Sequence, residues 1–155
     1  MNNHPVVSKA NLRRQLLRIR SSRTKIVFTN GVFDIIHRGH IEYLRKAKAA
    51  GDFLIVGINT DKSVKKIKGP HRPIQNQNDR ATIVASLKPV DLVVLFDETT
   101  PENLIRFIKP DVLVKGADYK ISQIVGADFV KSYGGQVKRI RLTLGRSTSS
   151  ILRRL

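Results

Sequence analysis

The chain has 155 residues, with 29 Lys or Arg against 12 Asp or Glu for a formal charge of +17, and it has no cysteine. This length suits one α/β domain with a sizeable core, and a hydrophobic fraction of 41% argues against disorder. No apolar run approaches the roughly 18 residues of a membrane span, and the missing cysteines exclude a disulfide framework or a thiolate zinc site.

Apolar periodicity switches repeatedly between helix-like and strand-like. A helix is predicted from Ser8 to about Arg20, with Ser8 as cap and Leu12, Leu16, Leu17 and Ile19 as its stripe. Strand Lys25–Asn30 and helix Gly39–Ala50 follow, with Gly51 placed as a C-terminal cap. Strand Phe53–Ile58 leads to a short helix around Ser63–Ile67 and a loop holding Gly69, Pro70 and Pro73. A helix Asp79–Leu87 capped by Asn78 precedes strand Val90–Phe96, then helix Pro101–Ile108 with proline in its first turn. Strand Asp111–Lys115, helix Gly126–Tyr133, strand Gln136–Ile140 and a closing helix Ser149–Arg154 complete the chain. This alternation predicts a single Rossmann-like, doubly wound, mainly parallel five-stranded sheet with flanking helices. Residues 1–24 read as a basic helical extension, and 25–155 as the domain proper. Ligands of such sheets bind at the carboxyl ends of strands, near the switch in strand order.

The charge is polarised along the sequence. Residues 1–25 hold seven Lys or Arg and no acid, and residues 131–155 hold seven more with no acid. Between them lie 15 basic and 12 acidic residues. A near-balanced middle with basic ends suits anionic ligands without marking a nucleic-acid binder. The first residues lack the apolar block of a secretory signal, so a cytoplasmic protein is expected.

The first strand end concentrates the chemistry. The segment Thr29-Asn30-Gly31-Val32-Phe33-Asp34 runs into His37-Arg38-Gly39-His40. Gly31 permits a tight turn and close approach of a ligand, and two histidines three residues apart at a helix start can face one direction. Unpaired N–H groups and the positive helix end favour a phosphate there. At random spacing such histidines are better read as a cap and a core residue. Strand, glycine turn and helix start coincide here, which favours a phosphate site. No third ligand of suitable type lies nearby in sequence for zinc.

His37-Arg38-Gly39-His40 after Thr29-Asn30-Gly31 resembles the HxGH signature of the nucleotidyltransferase superfamily that includes cytidylyltransferases and pantetheine-phosphate adenylyltransferases. Within it the chain most resembles the adenylyltransferase domains of bacterial ADP-heptose synthesis. That similarity runs from Val6 to Leu155, through FTNGVFDIIHRGH, INTDKSVKKIKGPHRPI, VLFDETTPENLI, KPDVLVKGADY and GRSTSSIL. The resemblance implies AMP transfer from ATP, with Mg²⁺, to a sugar phosphate: D-glycero-D-manno-heptose 1-phosphate. It implies catalysis by His37, His40 and Lys68, and nucleotide contacts from Thr29, Asn30, Gly31, Phe33, Lys65, Lys115, Gly116, Arg146, Ser147, Thr148 and Ser149. It places Asp34, Asn59, Asp61, Arg72 and Arg80 near the acceptor or the phosphates, with no dedicated metal ligands.

On the residues alone, Asp61 serves equally as a helix cap, the lysines around Lys65 as a solvated face, and Arg146–Ser149 as an N-cap cluster. Arg38 either attracts phosphate or faces solvent. The resemblance further implies a possible homodimer, a separate heptose 7-phosphate kinase upstream, and no nucleic-acid or membrane partner. A cytidylyltransferase acting on glycerol 3-phosphate is the alternative. A nucleic-acid-binding module is the reading from another class.

Overall fold

The computed structural model of the chain describes residues 6–142 and 151–153. Its elements are β1 (Val6–Val7), α1 (Lys9–Ser21), β2 (Ile26–Gly31), α2 (Arg38–Lys48), β3 (Phe53–Asn59), α3 (Asp61–Lys68), α4 (Gln77–Ala85), β4 (Leu92–Phe96), α5 (Glu102–Ile108), β5 (Val112–Gly116), α6 (Ala127–Ser132) and β6 (Gln136–Ile140). A 3-10 turn at Ile121–Gln123 precedes α6. The six strands form one sheet in the order β1-β4-β3-β2-β5-β6, and every pairing is parallel.

Strand alternation divides the core between two faces. On one side Ile26, Phe28, Ile55, Leu92, Val94 and Leu113 pack against Leu12, Leu16 and Ile19 of α1, Leu104, Ile105 and Ile108 of α5, and Ala127 and Val130 of α6. On the other side Val27, Leu54, Val56, Ile58, Val93, Val112 and Val114 meet Tyr43, Leu44 and Ala47 of α2 and Ala81 and Val84 of α4. The chain steps β2→β3→β4 in one direction, then returns to place β5 on the other flank of β2. The order therefore reverses between β2 and β5, and a ligand crevice belongs at their carboxyl ends.

Four details differ from the sequence expectation. The sheet has a sixth strand, because Val6 and Val7 pair with Val93 and Val94; two residues are too few for a period-2 pattern to be read. Residues 6–21 are thus continuous with the domain, since α1 also buries Leu12 completely. The cap of α4 is Asn76, whose side chain accepts from Asp79 N–H, so the helix starts two residues earlier than predicted. Gly51 does not adopt the left-handed backbone of a helix C-cap. A Cβ there would fall 2.8 Å from the Lys25 carbonyl oxygen and 2.7 Å from Val27, so close approach to β2 is what requires glycine.

Candidate active site

A cavity of about 530 Å³ opens at the carboxyl ends of β2 and β5, lined among others by Asn30, Gly31, Phe33, Asp34, His37, His40, Lys68, Arg72, Lys115 and Gly116. Its size falls within the range of small-molecule sites.

The backbone turns sharply at the mouth of β2, and the residue that makes the turn is Phe33, with φ of 50°. Gly31 contributes differently from expectation. A Cβ on it would come 2.9 Å from the Phe33 ring, so glycine makes room for that ring. A buried aromatic in the left-handed region carries strain, which recurs at functional sites. The Phe33 ring lies 5.3 Å from that of His40, between centroids, and forms one wall of the histidine pair.

His37 caps α2. Its Nδ1 accepts the Gly39 N–H at 3.1 Å, while its own backbone N–H donates to His40 Nδ1 at 3.3 Å. The two rings stack with centroids 3.9 Å apart. An imidazole nitrogen that accepts a hydrogen bond holds no proton, so each neutral ring carries its hydrogen on Nε2. The capping geometry thereby fixes the tautomer of both histidines. Burial, aided by the nearby charges of His37 and Lys68, lowers the His40 pKa to about 4. His40 is therefore a neutral hydrogen-bond donor at physiological pH. The NMR titration of its ring should have its midpoint near 4; a midpoint at the ordinary 6.5 would contradict this assignment. The sign for stability follows: as pH falls from 6.5 to 4, the unfolded chain takes up this proton and the native chain does not, so stability declines across that window.

Cations line the cavity as well. Burial lowers the Lys68 pKa, with Arg72 adding to the effect and Asp34 opposing it. Burial likewise lowers that of Lys115, opposed by Asp118. The Lys115 Nζ sits 5.4 Å from the Tyr119 ring centroid. Arg72 is held by Asp34, Nε to Oδ2 at 2.9 Å, and Asp34 also accepts from the backbone N–H groups of Ile74 and Gln75. Burial pushes the Asp34 carboxyl up, but these hydrogen bonds and Arg72 outweigh it and leave the pKa lowered. Asp34 thus fixes the loop after α3 and aims Arg72; its oxygens are engaged within the protein.

Several predicted residues lie outside the cavity. Arg80 is completely buried and donates to the carbonyls of Gln75, Val32 and Asn59 and to the Asp61 carboxylate at 2.7–3.0 Å. It ties together the ends of β2 and β3, the start of α3 and the loop before α4. Asn59 donates to Ser63, and Asp61 is the partner of Arg80. Thr29 is fully buried, bonded to the Tyr43 hydroxyl and the Val114 carbonyl. Lys65 is exposed and does not line the cavity. Arg38 pairs with Glu42 at 2.6 Å and faces solvent. Arg146, Ser147, Thr148 and Ser149 lie outside the described residues, as do Ser150 and Arg154 of the predicted closing helix, whose Ile151 and Leu152 are helical.

The cavity also recruits residues that sequence reasoning missed: Thr99, Thr100 and Pro101 after β4, and Val125 and Leu142 beyond β5. The carboxyl-end rule used for β2 would have pointed to Thr99 and Thr100 as well. The Oδ1 of Asn30 is buried without a hydrogen-bond partner among the described residues. An acceptor left in that state costs about 1–3 kcal/mol, so a ligand hydroxyl or amine fits there.

The protein is 56% identical over 136 residues to the bifunctional protein HldE of Caulobacter sp. strain K31, covering 88% of this chain and 28% of that protein. It is 51% identical over 150 residues to the bifunctional protein HldE of Wolinella succinogenes, covering 97% and 31%. The chain therefore spans about three tenths of the length of these curated relatives. Among solved structures, the lipopolysaccharide core biosynthesis protein of Thermoplasma volcanium GSS1 superposes with a TM-score of 0.62 at 33% identity, over 77% of this chain and 97% of that one. The pantoate-beta-alanine ligase of Francisella tularensis shares the fold at a TM-score of 0.59 and 20% identity, over 97% and 72%. The family model described as cytidylyltransferase-like matches residues 28–148, spanning both histidines and the cavity cations, and the chain belongs to that family.

Proposed function

We propose that the protein transfers AMP from ATP to D-glycero-D-manno-heptose 1-phosphate, giving ADP-heptose and pyrophosphate. The observation that carries this reading is the histidine pair: two stacked imidazoles with tautomers fixed by the α2 cap, facing a cavity that also holds Lys68, Arg72 and Lys115. Such a site suits a reaction that needs positioning and charge stabilisation more than covalent chemistry. The sugar substrate is taken from the kinship with the two HldE proteins and the lipopolysaccharide core biosynthesis protein.

The acceptor's phosphate is largely ionised at neutral pH, so no strong base is required. Its oxygen forms the new bond to the α-phosphorus as the bond from that atom to the β-phosphate oxygen breaks, and pyrophosphate departs with the electron pair. His40 donates from Nε2 to oxygen gaining charge, and His37 and Lys68 stabilise the same charge. Lys115 and Gly116 border the nucleotide, and Arg72 faces the phosphates. No group of three or more metal-ligating side chains occurs among the described residues. Mg²⁺ brought with the nucleotide would offset triphosphate charge.

The family's cytidylyltransferase-like description favours one second reading, CTP with glycerol 3-phosphate. Crossing ATP and CTP against the two acceptors, with Mg²⁺ and pyrophosphate release as readout, separates them. Release with ATP and the heptose phosphate alone is expected; release confined to CTP would overturn the donor assignment, and release with ATP and only glycerol 3-phosphate the acceptor.

A further inference from the structure

The outward face of α1 carries charge that the cavity does not use. Periodicity sets Arg14, Leu17, Arg18 and Ser21 opposite the buried Leu12, Leu16 and Ile19, with Lys9 and Arg13 flanking them. Neither α1 nor the rest of residues 1–25 contains an acid. A solvated helix face ordinarily mixes signs, and like charges at i,i+4, here Lys9 with Arg13 and Arg14 with Arg18, disfavour the helix. Arg20 has an internal role, donating to the Ile108 and Lys109 carbonyls at the end of α5. Arg18 stands in the last turn, where the helix dipole favours a cation. Lys9 stands in the first turn, where the dipole opposes one, and Arg13, Arg14 and Arg18 form no salt bridge among the described residues.

A second feature marks the same face. Leu17 is 69% exposed, more than any other large hydrophobic side chain among the described residues, and it stands among these arginines. Phe107 of α5, 37% exposed, lies beside α1 with the Lys9 ammonium 5.8 Å from its ring. Phosphodiester backbones and acidic peptides would satisfy the arginines and leave Leu17 in water. An anionic lipid surface satisfies both, with headgroup phosphates for the cations and the acyl boundary for Leu17. No helix among the described residues is long and apolar enough to cross a membrane.

We propose that the outer face of α1 docks the protein reversibly onto anionic phospholipid, with Arg13, Arg14 and Arg18 on headgroups and Leu17 inserted between them. The cavity opens at the carboxyl ends of the strands, whereas this face flanks the sheet, so docking leaves the substrate entrance open.

Co-sedimentation of the 155-residue protein with phosphatidylcholine vesicles, with and without phosphatidylglycerol, tests the proposal. Binding should require the anionic lipid and weaken steeply with salt. Replacing Arg13, Arg14 and Arg18 together with Gln should weaken it about 100-fold. Leu17→Ser should weaken it about tenfold without changing retention on duplex DNA or an acidic peptide. The arginine variant should melt no lower than the parent, because it loses the i,i+4 repulsions, and Leu17→Ser should lower the melting temperature only slightly, because Leu17 is exposed. Absence of binding to anionic vesicles would overturn the proposal. So would vesicle binding indifferent to Leu17, or DNA or peptide binding at least as tight as lipid binding; either would reassign the face to a polyanion.

Discussion

His40→Ala should lower kcat/KM for nucleotidyl transfer by about 10²–10³-fold, while costing no more than about 1 kcal/mol of stability from the lost cap. Both effects originate in one side chain, because His40 Nδ1 accepts from the His37 N–H and its Nε2 holds the donor hydrogen. His40→Gln separates them. Glutamine at this helix position completes the same capping box, so the fold should keep its melting temperature while turnover stays depressed. Steady-state kinetics and thermal denaturation on the two variants read this directly. A His40→Gln variant that retains full activity would reduce the residue to a helix cap.

Arg80→Met should destabilise the protein by about 3–5 kcal/mol, a large share of the stability of a domain this size. The side chain is fully buried, and its loss leaves the carbonyls of Val32, Asn59 and Gln75 and the carboxylate of Asp61 without their donor. Arg80→Lys should recover only part of the loss, since one ammonium cannot reproduce the planar fork. Urea denaturation midpoints measure both. A substrate-binding arginine would behave oppositely, with unchanged stability and a raised KM.

The contrast between Arg80 and Arg72 shows where reading the sequence stops. Both arginines follow β3, and both suit an anion. Only the path of the chain decides that α4 turns Arg80 under the strand ends while Asp34 holds Arg72 at the cavity. The same limit applies to Asp34, Asn59 and Asp61. Their polarity and position at strand ends are visible in sequence, but the internal partners that engage them are set by loops. The Thr29 hydroxyl is bonded to Tyr43, and a hydroxyl on a strand looks alike in sequence whether its partner is a ligand or another side chain.

The fold was more legible, for a physical reason. Strands buried on both faces must be continuously apolar, and β2 through β5 carry that pattern in their own residues. The strand Val6–Val7 offered no period, and α4 is capped by Asn76, whose side chain accepts from the Asp79 N–H, and not by the expected Asn78. His37 and His40 stood out because strand end, glycine and helix start coincide in sequence, whereas Lys68, Lys115 and Gly116 were picked out only by the resemblance; all five line the cavity.

Direct transfer of an adenylyl group in this cavity is tested most sharply by ³¹P NMR of a reaction containing ATP, Mg²⁺ and the heptose 1-phosphate labelled with ¹⁸O in its phosphate. Pyrophosphate and a sugar nucleotide whose bridging oxygen carries the label are expected, since the acceptor oxygen attacks the α-phosphorus. ADP without pyrophosphate, or a product whose bridging oxygen is unlabelled, would contradict direct transfer.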